Sequence, residues 1–130
     1  MKKIILSIAL LVSNIFASEQ ELEIEKRLVG NYFTLNYKLH LLNARYLASA
    51  KRPEHDKYFK EKSENILKEQ REITKIISDS SFIEINLLEE DLYLKIKKLV
   101  ESSNFPLRAN LVCEIERSRI FKRLAEEVKS

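Results

Sequence analysis

One glycine and two prolines in 130 residues leave this chain few places to break a helix. Glycine and proline are the strongest local punctuators of secondary structure, so their scarcity favours long, uninterrupted helices. Hydrophobic periodicity supports this. Ile24, Leu28, Tyr32, Leu35, Leu39, Leu42 and Tyr46 recur at steps of three or four, which predicts a first helix over residues 19–51 with one apolar stripe. Arg27, Asn31, Thr34, Lys38 and Arg45 form a polar stripe beside it. Gly30 interrupts this helix at about 1 kcal/mol relative to alanine, a cost that a close helix–helix approach would explain.

Pro53 ends the first helix, because the residue before a proline is pushed out of the helical region. A charged second helix over 54–78 carries Phe59, Ile66, Ile73 and Ile77 on one side, with Lys62 and Gln70 interrupting the stripe. Asp79, Ser80 and Ser81 read as a turn, and Ser81 with Glu84 fits a capping box for a third helix. That helix presents Ile85, Leu88, Leu92, Ile96 and Leu99. Ser102, Ser103 and Asn104 break it, and Pro106 suits the first turn of a fourth helix. The fourth carries Leu107, Leu111, Ile115, Ser118, Ala125 and Val128 on a shared face. Short connections between long amphipathic helices predict an all-α fold, an antiparallel bundle of about four helices with a long first helix. A stripe longer than the other helices can cover predicts a homodimer through that first helix.

The N-terminus predicts export. Lys2 and Lys3 precede a short apolar core over 4–12, and Ala17 stands where processing would cut. Residues 1–17 are therefore expected to be a signal peptide, and 18–130 one helical domain of a periplasmic or secreted protein with no membrane attachment after cleavage. Removing Lys2 and Lys3 from the 23 basic residues leaves 21 against 20 acidic ones, a net charge near +1 rather than +3. Such a mixed surface argues against a nucleic-acid partner. Cys113 stands alone, so no intramolecular disulfide can form. His40 and His55 lack metal-ligand spacing with each other or with Cys113, so no metal or cofactor is expected, and both read as surface or partly buried polar residues.

Ser118 and Lys122 lie four apart near the seam of the last helix, a spacing that could bind an anion if both faced inward. The plainer reading is a serine beside the core and a lysine reaching outward. Arg52-Pro53-Glu54-His55-Asp56, Lys60-Glu61, and Ile115-Glu116-Arg117-Ser118-Arg119 followed by Lys122 resemble segments of the all-helical class of chorismate mutases, secreted type. That resemblance implies an isomerase converting chorismate to prephenate without a cofactor. It places Arg45, Lys51 and Lys122 as catalytic cations, with Arg27, Asp56, Glu61, Ser118 and Arg119 binding a small dicarboxylate substrate. The family register fits either Arg27 with Lys38 or Arg45 with Lys51, and Lys122 stands where the family prefers Gln or Glu. The alternative is a non-catalytic periplasmic helical chaperone or adaptor. The two differ in one respect: a substrate clamp needs converging cations, whereas an adaptor leaves them scattered and solvated.

Overall fold

The computed structural model describes residues 19–49, 53–102 and 109–129. The expected signal peptide, Lys51, Pro106 and Leu107 lie outside them. The described chain is all-α. Four helices follow in order: α1 (Glu19–Ala48), α2 (Pro53–Thr74), α3 (Asp79–Glu101) and α4 (Ala109–Lys129). No strand occurs among the described residues. Each of α1 to α3 opens on acidic residues, Glu19, Glu54 and Asp79 among them, and each carries a basic residue in its last turn. Both placements complement the helix dipole. Pro53 takes the first position of α2, where its missing N–H costs nothing.

Long-range side-chain pairs give the directions. Thr34 meets Lys129 while Asn43 meets Glu114, so α1 and α4 run antiparallel. Tyr46 bonds Asp56 while Asn36 bonds Gln70, so α1 and α2 also run antiparallel. Glu25 with Ser78, Asn36 with Glu89, and His40 with Tyr93 are each 53 residues apart, which sets α3 parallel to α1 in a constant register. The helices therefore alternate down the chain as in an up-down-up-down bundle. Gly30 sits in ordinary helical backbone, with no positive φ. Its place is spatial: the Lys129 side chain of α4 lies where a Cβ would be, at 2.8 Å. The contact is with a flexible lysine side chain and not with the backbone of another helix.

The main core joins Val29 and Phe33 of α1, Ile85, Leu88 and Leu92 of α3, and Phe121, Leu124, Ala125 and Val128 of α4. Phe33 and Phe121 are fully buried and stack with centroids 5.9 Å apart. Burying each ring contributes on the order of 2–3 kcal/mol. Ile96, Val100 and Cys113 form a smaller cluster toward the other end.

Four sequence readings need correction. The core-facing stripe of α1 is Val29, Phe33, Asn36, His40 and Ala44, one residue on from most of the expected positions. One residue turns a helix by about 100°. The expected stripe is instead half-buried at Leu28, Tyr32, Leu39, Leu42 and Tyr46, with Leu35 buried and Ile24 exposed. Two polar residues at the centre of the true stripe, Asn36 and His40, hid it from a hydrophobic pattern. In α3, Leu99 points to solvent and Val100 takes the core position. The cap of α3 is Ser78, not Ser81: its backbone is extended and its side chain accepts the Ser81 N–H at 3.2 Å. Glu25 selects it, accepting from the Ser78 backbone N–H at 2.9 Å and from its hydroxyl at 2.8 Å. Finally, α2 stops at Thr74, and Ile77 folds into the core from the turn.

Candidate functional site

The polar residues of the core converge on the middle of α1. Asn36 donates to Glu89 Oε1 at 2.8 Å and accepts from Gln70 Nε2 at 2.6 Å. Gln70 had appeared as an interruption in the α2 stripe, yet it is the buried residue of that helix. Four residues on, His40 is 5 % exposed and stacks on Phe121 with centroids 5.5 Å apart. Its Nδ1 lies 2.6 Å from Glu114 Oε2, and its Nε2 lies 3.1 Å from the Tyr93 hydroxyl. An ionised carboxylate can only accept, so Nδ1 carries a proton toward Glu114.

The two carboxyls of this seam are pushed in opposite directions. Burial raises Glu89 above the ordinary carboxylate range, and its bonds from Asn36 and Tyr32 offset this only in part. Burial pushes Glu114 up as well, but His40, Arg117 and Asn43 outweigh it and hold the group below that range. Arg117 donates to Glu114 Oε1 at 3.1 Å and lies 4.4 Å from the centre of the Tyr93 ring.

Glu114, His40 and Tyr93 stand in the carboxylate–imidazole–hydroxyl order that activates a nucleophile in many enzymes. Burial, with Glu89 adding to it, pushes the Tyr93 hydroxyl up to about 12, and neither His40 nor Tyr93 lines the clefts described below.

Among the described residues, the clefts that indent the surface include three that bear on a binding site. A cleft of about 390 Å³ lies where α1 and α3 end and α4 begins, lined by Asn43, Leu47, Glu101, Cys113 and Arg117 among others. A second, about 350 Å³, separates Asn31, Thr34 and Lys38 of α1 from Glu69 and Glu72 of α2. A third, about 210 Å³, lies between Thr34 and Tyr37 of α1 and Lys122 and Lys129 of α4.

The site residues expected from the sequence do not gather in one of these. Arg27, Arg45, Glu61 and Arg119 are exposed, and Arg119 pairs with Glu116 at 3.2 Å. Asp56 is exposed and accepts from the Tyr46 hydroxyl. Ser118 is buried and donates to the Ile115 carbonyl at 2.7 Å, while Lys122 is exposed with its ammonium 5.6 Å from the Tyr37 ring centre. The plainer reading of the Ser118 and Lys122 spacing is thus the one the structure shows. Sequence reasoning missed Asn36, His40, Gln70, Glu89, Tyr93 and Glu114. The available signal was polar side chains at positions where a neighbouring register needed apolar ones.

No family model, curated protein or solved structure matches this chain.

Proposed function

We propose that this chain is a non-catalytic helical adaptor of the exported compartment, docking a protein partner through the outward face of α3. One observation carries the reading. Ile85, Leu88, Leu92 and Ile96 face the core, yet Ile83, Leu87 and Leu94 project from the opposite side and are 55 %, 56 % and 54 % exposed. Their spacing of four and seven puts them on one ridge. Single exposed leucines are ordinary, but an apolar ridge backing an apolar core face marks a contact surface.

Charge specifies the partner. Glu84, Glu90 and Asp91 lie along the ridge, and Lys95, Lys97 and Lys98 follow its last residue, with Glu101 closing the helix. A matching helix is apolar along one side and carries the reverse charge order, which α3 of a second copy presents when laid antiparallel. The homodimer expected from the sequence is accordingly assigned to α3. On α1, most of the stripe that motivated a dimer is half-buried within the chain.

Sedimentation velocity tests this. Wild-type protein should dimerise across the micromolar range, and Leu87→Glu with Leu94→Glu should be monomeric with unchanged helicity and a melting temperature that no longer depends on concentration. A monomeric wild type, or a dimer indifferent to both changes, overturns the assignment.

The isomerase reading stands second. It requires cations converging on one dicarboxylate, yet Arg27 and Arg45 lie 18 residues apart on one face of α1, about 27 Å at 1.5 Å per residue. Its direct test is loss of chorismate absorbance with purified protein.

A further inference from the structure

The cleft between the ends of α1 and α3 and the start of α4 lies beyond the apolar residues of the α3 ridge and shares Lys97 with its charged end. Its inner wall is unusual in having charged donors to spare. Glu114 is fully engaged: Oε1 accepts from Arg117, and Oε2 faces His40 at 2.6 Å and Asn43 at 3.5 Å. Arg117 is not. A guanidinium has five N–H bonds. Arg117 gives one, from Nη1, to Glu114; among the described residues its Nη groups make no other hydrogen bond and its buried Nε makes none. The guanidinium carbon lies 4.4 Å from the centre of the Tyr93 ring, a cation–π contact that helps position it before any ligand arrives.

Two other features share the cleft. Its floor is apolar, formed by Val100 and Cys113, both buried in the smaller core cluster. Its rim carries Glu101, whose carboxylate is 62 % exposed and only loosely paired with Lys97 at 4.0 Å. Lys97 and Arg117 balance Glu101 and Glu114, so a dianion or a dication would meet as much repulsion as attraction. About 390 Å³ is near the lower end for small-molecule sites and suits a ligand of amino-acid size.

We propose that this cleft binds a small zwitterion, an α-amino acid with an aliphatic side chain. Its carboxylate takes the unspent N–H bonds of Arg117, its ammonium takes Glu101, and its side chain lies over Val100 and Cys113. The arrangement assigns each chemical part of the ligand to one wall of the cleft.

Amide chemical shifts of isotope-labelled protein test this with three probes: leucine, 4-methylpentanoate, which lacks the ammonium, and isopentylamine, which lacks the carboxylate. Leucine should shift the Asn43, Glu101 and Cys113 amides saturably, and each partial ligand should bind about tenfold more weakly or worse. Glu101→Gln alters an exposed side chain outside the core. It should weaken leucine about tenfold and leave 4-methylpentanoate unchanged. Arg117→Lys keeps the charge and loses the fork, and should weaken leucine and 4-methylpentanoate alike. Absence of saturable shifts with leucine overturns the proposal. So does equal binding of leucine and 4-methylpentanoate by wild type, or leucine binding unaffected by Glu101→Gln.

Discussion

Around Val29 and Phe33, α1 meets α3 and α4 through carbon; one to two turns on, at Asn36 and His40, it meets its neighbours through hydrogen bonds. Dispersion and burial are non-directional, so the first region supplies stability without saying which residue must face which. Hydrogen bonds have fixed partners and angles, so the second region supplies alignment. Three polar pairs with a common separation of 53 residues hold α3 in one register along α1. A slide by one turn would preserve much of the apolar contact and break every one of them.

If this division holds, the largest single loss comes from the apolar region. Phe121→Ala empties a fully buried site beside Phe33 and His40 and should cost about 3–5 kcal/mol in urea unfolding. A loss under about 2 kcal/mol would mean that the polar region holds the bundle together after all.

The polar region should show a smaller and non-additive effect. Asn36→Leu takes one partner each from the Gln70 amide and the Glu89 carboxylate, leaving both with Tyr32, and should cost about 1–3 kcal/mol. Adding Gln70→Leu and Glu89→Leu removes these groups, so the triple variant should recover much of that loss. Its α3 amides should nonetheless exchange faster around Glu89, because the Asn36–Glu89 register pair is gone. Equal exchange in wild type and the triple variant would break the assignment of register to these residues.

Smaller still is the pH response, in which the two seam carboxyls oppose each other. Glu89 has a raised folded pKa, so the folded chain binds its proton first as pH falls, and stability rises from neutral toward the ordinary carboxylate range. Glu114 has a lowered folded pKa, so its contribution is complete above that range and is lost as pH falls through the folded value. Thermal melting against pH should therefore pass through a mildly acidic maximum. Subtracting the Glu89→Gln curve from wild type should isolate the first limb, and Glu114→Gln the second. A difference curve of the opposite slope would reverse the burial argument for Glu89.

The smallest effect is expected at the edge of the apolar region. Gly30→Ala displaces the Lys129 side chain, whose Cε and Cγ lie 2.8 Å from the new Cβ. That flexible chain can move outward, leaving a gain in helix propensity of at most about 1 kcal/mol. Destabilisation in melting experiments would show that Lys129 is fixed more firmly than its exposed position implies.

What the sequence determined by itself was the fold class and the helix count, because these depend on local properties: few breakers, a period near 3.6, and proline at a helix start. Along α3 it located Ile85, Leu88, Leu92 and Ile96 correctly, since there the buried residues are also the apolar ones. Tertiary structure decided the rest. The core face of α1 lies one residue round from its apolar stripe because Asn36 and His40 find partners on α2, α3 and α4, and no local pattern records a partner dozens of residues away. Likewise, Ser78 rather than Ser81 caps α3 because Glu25, 53 residues earlier, accepts its hydrogen bonds. A polar side chain is costly in a core only while it is unpaired, and pairing is a property of the assembled helices.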